Sequence, residues 1–528
     1  MNIIEILREH AIERPGAPAI IDSRRGCDRM ITFAELERSS AQTAALLRGE
    51  GLRACDVALV FHPMSAELYI TLLALFRLGL TAMFLDPSAG RDHIERCCAL
   101  AQPQALIAGA RAHALRLISP AVRRIPRKFV IGPALPGAVS TNLARRLPAA
   151  TEIVPCAPDH AALLTFTSGS TGKPKAALRT HGFLLAQHRA LDRSLALKAG
   201  DVDLTTLPIF ALANLASGVT SVIPDADLRF PGAIDPAPVM RQVRAHRPVS
   251  AAASPALLER LADYCLRRGE RLSGFKRIYT GGAPVFPRAL DKLQAVAPQA
   301  EIVAVYGSTE AEPIAHVARG EMKAEDIEAM IGGRGLLAGH PVPEIRLRIL
   351  RDQWGKPVGP FTTEEFEEAC ARAGEPGEIV VSGDHVLSGY WRGQGDREIK
   401  FRVGGEVWHR TGDAGYVDDT GRLWLLGRSE ARINDSRGAL YPFTVECAAS
   451  HHAGVRRAAV VAREGRRLLV IEAFEDGQAP EIAGLRRSLA WAQIDEMRWL
   501  KRIPVDRRHN AKIDYPGLRR LLAVGSKV

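Results

Sequence analysis

The chain has 528 residues, 70 of them basic and 59 acidic, and its net charge is +11. That length exceeds one ordinary hydrophobic core, so two or more domains are expected. With 47% hydrophobic and 24% charged residues and no low-complexity tract, the composition excludes a disordered or fibrous chain. The basic excess favours anionic ligands in general. Only twelve of the basic residues are Lys, and the Arg are dispersed along the chain, which argues for a solvated surface over a nucleic-acid-binding stripe. The eight Cys, including adjacent Cys97 and Cys98, show no metal-ligand spacing and read as reduced thiols of a cytoplasmic protein.

The chain opens with an amphipathic helix that ends near Pro15, without the basic-then-apolar order of a signal peptide. "CDVALVFHP" and "GLTAMFLDP" read as buried strands, and "ELYITLLALFRLG" between them has helical spacing and a Gly stop. Glu67, Arg77 and Gly79 interrupt this most apolar stretch, so it is expected to be a buried helix running into a strand and not a membrane span. "HAALLTFTSGSTG" is a strand feeding a Ser/Thr/Gly loop, and "FKRIYTGGAPV" and "AEIVAVYGSTE" are two more strands ending in Gly-containing turns. Ligands of open α/β sheets gather at the carboxyl ends of strands, so these three polar turns are candidates for one site. After about residue 340, β-rich stretches punctuated by Gly predict a β subdomain, and the last hundred residues have a strand and helix pattern of their own.

The loop "TFTSGSTGKPKAALRTHG" (Thr165–Gly182) has a phosphate cradle's composition without Walker A spacing, because only Ser170 and Thr171 separate Gly169 from Gly172 and Pro174 follows Lys173. In order after it come "TGGAPV" (Thr280–Val285), "YGSTE" (Tyr306–Glu310), "RTGDAGY" (Arg410–Tyr416), "LLGRSE" (Leu425–Glu430) and "HNAKIDY" (His509–Tyr515). With these six motifs the sequence resembles, over nearly its whole length, the adenylate-forming superfamily of acyl-CoA synthetases, peptide-synthetase adenylation domains and luciferases.

The resemblance implies an α/β fold. Residues 1–428 form a large domain of parallel-rich sheets with helices and a β subdomain, and 429–528 a small mobile α+β domain hinged near Glu430, where Asp or Lys is usual. It implies that ATP and a carboxylic acid combine to an acyl-adenylate, a displacement catalysed mainly by positioning and charge neutralisation. The β- and γ-phosphates fall to Thr167, Ser168, Gly169, Ser170, Thr171, Gly172 and Lys175, whose N–H groups, hydroxyls and ammonium are donors. Gly281, Gly282 and Ala283 line the adenine slot and Tyr306 stacks on the base, followed in the motif by Gly307 and Ser308. Thr309 meets the α-phosphate and Glu310 the Mg²⁺; outside its motif Glu310 would be a solvated Glu at a helix start. Asp413, helped by Arg428, holds the ribose hydroxyls, and Lys512 is the catalytic Lys that bridges carboxylate and α-phosphate as their negative charges meet.

Within the superfamily, "LPIFALANLASGVTSVIPD" is the most discriminating segment. Where acyl-CoA synthetases usually have His and amino-acid adenylation domains Asp, this chain has Ala211 in an apolar neighbourhood, which favours an aliphatic acid. This segment, with "FLDPSAGRDHIERCCALAQPQALI", "YGSTEAEP", "DSRGALYP" and "PVDRRHNAKI", resembles the β-lactone synthetases of bacterial olefin biosynthesis. These adenylate a β-hydroxy acid whose own hydroxyl then closes the ring. The branch usually has a small residue and Leu-Pro after its Glu; here Glu312 precedes Pro313, which points to a shorter or more polar acid. The alternatives are an acyl-CoA ligase, transfer to an acyl carrier protein, a catalytically silent partner of other pathway enzymes and, last, a nucleic-acid binder. Coenzyme A is possible but not required by the lactone reading. Retention of Lys175, Glu310, Asp413 and Lys512 together argues against silence. His181 and His316 read as packed structural residues rather than as a general base.

Overall fold

The computed structural model describes residues 2–85, 90–168, 174–474, 481–505 and 512–524. The chain forms two compact units. One comprises Met1–Leu228, Ala237–Ala252 and Asp384–Arg397, the other Arg229–Pro236, Ala253–Gly383 and Glu398–Val528.

In the first unit, six parallel strands stand in the order Val139–Ser140, Arg127–Ile131, Ala105–Gly109, Val57–Phe61, Thr81–Phe84 and Ala161–Ser168, and Pro174–Thr180 closes the sheet antiparallel. Val57–Phe61 is buried at every residue, because a central parallel strand is covered on both faces and so reads as an unbroken apolar run. The helix Ala66–Arg77 that follows is started by Ser65, whose hydroxyl accepts from the Leu68 N–H at 3.4 Å. It is buried along most of its length, as expected of "ELYITLLALFR", and its fully buried Arg77 ends on Glu37 and on the Ala150 carbonyl. Among the described residues no helix is long and apolar enough to cross a membrane. A further run of strands pairs Ser250–Ala253, Val202–Thr205, Thr220–Val222 and Pro18–Arg24 in parallel, with Cys27–Thr32 antiparallel at the edge.

The second unit begins with a parallel pair, Arg277–Gly281 and Glu301–Ser308, and continues antiparallel through Ala311–Ala318, Leu336–Pro341, Leu423–Arg428, Glu406–Val417, Gly377–Ser382 and Arg346–Leu350. The last four are the stretches whose alternation predicts the β subdomain.

The final hundred residues build a three-stranded sheet, Val455–Arg463, Arg466–Ala473 and Glu496–Trp499. Successive residues of its strands serve opposite faces: Ala458, Val460, Leu469 and Ile471 pack with Val445 and Leu485, whereas Ala459, Val461, Leu468 and Val470 pack with Leu518 and Leu522. Helices on both faces of one short sheet make this part α+β.

The strand that carries "RTGDAGY" is fixed by a buried ion pair. The Arg410 guanidinium donates to Glu378 at 2.9 and 2.6 Å, and both side chains are almost wholly buried. Its remaining N–H groups reach the carbonyls of Lys356 at 2.6 Å and Gln353 at 3.2 Å. Removing one partner strands a charge in the interior. Glu378→Ala is therefore expected to cost about 3–5 kcal/mol of stability, read as a lowered urea midpoint, with Glu378→Gln falling between it and the wild type.

Candidate active site

In the first unit the phosphate-loop motif spans two paired strands, with Thr167 opposite Lys175 and Ser168 opposite Pro174. Gly169, Ser170, Thr171, Gly172 and Lys173 lie outside the described residues, as do the side chains of Thr167 and Ser168. Lys175 is buried and its ammonium stands 5.9 Å from the centre of the Tyr390 ring, a cation–π arrangement. Gly395 makes room for its stem: φ is +98°, and a Cβ there would come within 2.7 Å of the Lys175 methylenes. Tyr390 sits inside a stretch read only as β-rich and carries no motif of its own, so nothing in the sequence announced it.

The helix Pro208–Ala216 carries the discriminating segment. Phe210, Ala211, Ala213 and Leu215 on it are buried, and it bears no charged side chain. Asn214 anchors it, donating to the buried Asp203 at 3.0 Å and to Ser221 at 3.1 Å. Asp203 also accepts from Ser250 at 2.6 Å, and burial raises its pKa. His181 is fully buried at the start of the helix His181–Leu195. Its Nδ1 accepts from the Ile3 N–H at 3.2 Å, and burial lowers its pKa to about 4. It is a neutral packing residue beside Phe76 and His160.

In the second unit Gly281 ends its strand where a Cβ would lie 2.6 Å from the Val305 carbonyl oxygen, so only glycine fits. Gly282 and Ala283 follow, both half-buried. The next strand ends in Tyr306, Gly307 and Ser308, and Ser308 pairs with Ala311 across a hairpin whose two-residue tip is Thr309–Glu310. The Ser308 hydroxyl accepts from the N–H groups of Glu310 and Ala311, both at 3.2 Å, and so closes the turn. Glu310 is thus half-buried at a β-hairpin tip and not at a helix start. His316 lies on the returning strand, half-buried and paired with His340.

Tyr306 donates its phenol to Asp413 at 2.8 Å, and Arg428 donates to the other Asp413 oxygen at 3.0 Å. Asp413 and Arg428 are direct cross-strand partners. Burial and the adjacent carboxylate push the Tyr306 phenol well above its usual pKa, so it stays protonated and donates. The Asp413 charge, in turn, raises the Arg428 guanidinium. The sequence motifs treat Tyr306 and Asp413 as separate contacts; their direct bond follows from strand register, which no motif reports.

Lys512 is exposed, immediately before a short chain reversal. Ile513 bridges Val505, the Asp514 N–H donates to the Pro504 carbonyl at 3.0 Å, and Asp514 caps the helix Tyr515–Val524 through the Gly517 N–H at 2.9 Å. Tyr515 donates its hydroxyl to Glu446 on the helix Pro442–Ser450. His509, Asn510 and Ala511 lie outside the described residues.

Among the described residues there is no group of three or more His, Cys, Asp or Glu that could hold a metal ion. A hairpin-tip carboxylate with no such group around it fits Mg²⁺ carried in largely by phosphates and water. The glycine-floored turn after Arg277–Gly281 and the carboxylate of Asp413 suit a purine and a ribose.

A family model described as AMP-binding enzyme matches residues 7–391, and the chain belongs to that family. It is an AMP-forming ligase that uses ATP to activate a carboxylate as its adenylate. An olefin beta-lactone synthetase of Stenotrophomonas maltophilia is 33% identical, with 97% of this chain and 96% of the relative covered. One from Xanthomonas campestris pv. campestris is 32% identical over the same shares. Indoleacetate–CoA ligase of Aromatoleum aromaticum is 29% identical, with 88% and 85% covered. Among solved structures, the fold matches amide bond synthetase McbA of Marinactinospora thermotolerans with a TM-score of 0.80 at 22% identity, covering 98% of this chain and 99% of the other.

The Glu446–Tyr515 pair carries a pH signature. Burial pushes the Glu446 carboxyl from 4.5 up to about 8. Folded protein therefore keeps a proton that the unfolded chain releases, and stability falls as pH rises from 4.5 to 8. The slope is at most about 1.4 kcal/mol per pH unit. Glu446→Gln keeps an acceptor for Tyr515 without the titration, so its melting temperature should hold up relative to wild type as pH is raised through this window.

Proposed function

We propose that the enzyme adenylates a β-hydroxy fatty acid and that the adenylate closes to a β-lactone. The observation that carries this reading is Ala211, buried on an apolar helix without a charged side chain. An α-ammonium has no partner there, whereas an alkyl chain meets a matching surface. The two olefin beta-lactone synthetase relatives support the same outcome.

In the first half-reaction a carboxylate oxygen attacks the α-phosphorus, and the bond to the β-phosphate oxygen breaks. The loop from Thr167 to Gly172 and Lys175 hold the β- and γ-phosphates, so pyrophosphate leaves into a site already neutralised. Gly281, Gly282 and Ala283 take the adenine with the Tyr306 ring, while Asp413, braced by Tyr306 and Arg428, takes the ribose hydroxyls. Thr309 donates to the α-phosphate, and Glu310 would hold Mg²⁺, which supplies charge neutralisation when bound. Lys512 bridges the two anions as they meet. In the second half-reaction the β-hydroxyl oxygen attacks the activated carbonyl carbon. The bond to the AMP oxygen breaks, and the hydroxyl proton leaves to AMP or solvent. The anhydride drives closure of the strained ring, and no thiol is consumed.

Residues 1–428 act in this reading as the large domain and 429–528 as the small one, hinged near Glu430. The two-sided core of the last hundred residues supports such a body. A second reading, acyl-CoA ligation, is favoured by the indoleacetate–CoA ligase relative; Glu312, half-buried beside the hairpin tip, suits a shorter or more polar acid under either reading.

Mass spectrometry of products from Mg-ATP with β-hydroxy and plain fatty acids, with and without coenzyme A, separates the readings. A product lighter than the β-hydroxy acid by one water, formed without coenzyme A, is expected. A thioester formed only with coenzyme A overturns lactone closure. Lys512→Ala should retain ATP binding and lose adenylate formation by at least a hundredfold, about 2.7 kcal/mol of transition-state stabilisation; a normal rate of pyrophosphate exchange would remove Lys512 from the chemistry.

A further inference from the structure

The arginines are less evenly dispersed than a first reading of the chain implies. From Arg96 to Thr151 there are nine basic residues and no Asp or Glu. In the first unit this stretch includes the turn Ala110–Ala114, the short helices Leu115–Ile118 and Pro120–Arg124, and the strand Arg127–Ile131. Its inner face is well made. His113 is buried with Nε2 3.1 Å from the Phe129 carbonyl, Ser119 donates to Glu95, and Val122 and Ile125 enter the sheet's core.

Its outer face is of another kind. Leu117 is 81% exposed and Ile118 56%, two adjacent aliphatic side chains left in water. Arg111, Arg123 and Arg124 are exposed on the flanking helices, and Arg145 and Arg146 on the turn Thr141–Arg146. None of these five makes an ion pair among the described residues. Arg116, half-buried, donates to the Pro136 carbonyl at 3.2 Å and so ties the aliphatic pair to the segment leading into that turn. Among the described residues Glu95 is the one carboxylate that hydrogen-bonds to the stretch, and it is occupied by Ser119 and by the Ala121 N–H at 3.2 Å.

We propose that this face docks on an anionic lipid surface, with Leu117 and Ile118 entering the acyl boundary and the surrounding arginines meeting lipid phosphates. Charge selects the occupant's sign: a stretch without its own acidic residues, whose five exposed arginines make no ion pair among the described residues, is complementary to anions. The side chains select a bilayer over an acidic protein. Protein interfaces are anchored by aromatic residues in matched pockets, with leucine under-represented, whereas this face has no exposed aromatic ring. A fluid acyl layer accepts protruding aliphatic groups without shape complementarity, and guanidinium groups pair with phosphates in forked geometry. Such docking is peripheral and reversible. The inference is independent of which acid is activated.

Flotation of the full-length protein with phosphatidylcholine vesicles, with or without phosphatidylglycerol, tests it. Binding is expected only with the anionic lipid at 0.1 M salt, with release at 1 M. Arg123→Gln with Arg124→Gln should weaken binding about 25-fold, at roughly fivefold per charge. Leu117→Ser with Ile118→Ser should weaken it tenfold or more, and both double variants should keep wild-type pyrophosphate exchange as evidence of folding. The proposal fails if wild-type protein floats with neither vesicle, or if the variants bind as wild type does. Capture by an acidic protein in place of vesicles overturns it in favour of a protein-docking face.

Discussion

One carboxylate ties together three strands of the second unit. Asp413 takes a hydrogen bond from Tyr306 on one oxygen and from Arg428 on the other. It thereby joins the end of the strand Glu301–Ser308 to the antiparallel pair Glu406–Val417 and Leu423–Arg428. Tyr306 on the first of these lies 107 positions from Asp413, whereas the other two are successive strands aligned by their own backbone ladder, so the carboxylate adds a side-chain link between distant parts of the sheet. The buried pair of Glu378 with Arg410, three residues before Asp413, fixes the same strand from its other side. The site is therefore built on paired polar groups that the sheet's register brings into contact, with few independent side chains.

Much of this was legible in the sequence where a physical constraint leaves a short-range mark. Val57–Phe61 is visible because two-sided burial demands an unbroken apolar run, and Ala66–Arg77 because its spacing is helical with a Gly stop. The Gly of "TGGAPV" is visible because a carbonyl oxygen occupies the space that a Cβ needs. Hidden were the relations set by register and tertiary approach. The Tyr306–Asp413 bond spans 107 positions, Tyr515 finds Glu446 across 69, and Tyr390 stands over Lys175 from a segment with no motif. Hidden too was the return of Asp384–Arg397 to the first unit from far along the chain.

The membrane-facing proposal and the apolar helix Pro208–Ala216 share a logic. Each concerns aliphatic surface beside groups chosen for charge or for its absence. Around Leu117 the charge is plentiful and unbalanced; around Ala211 it is missing. Burial separates the two, since Ala211 is enclosed and Leu117 stands in solvent.

The two-residue tip Thr309–Glu310 has an evolutionary corollary. A loop that short tolerates no insertion, and a slip of one residue in either flanking strand turns every side chain to the opposite face. The end of this hairpin is consequently locked against length change. The helix Pro208–Ala216 is restricted at a different point: Asn214 ties it to Asp203 and Ser221, which leaves its apolar positions as the ones free of side-chain hydrogen bonds.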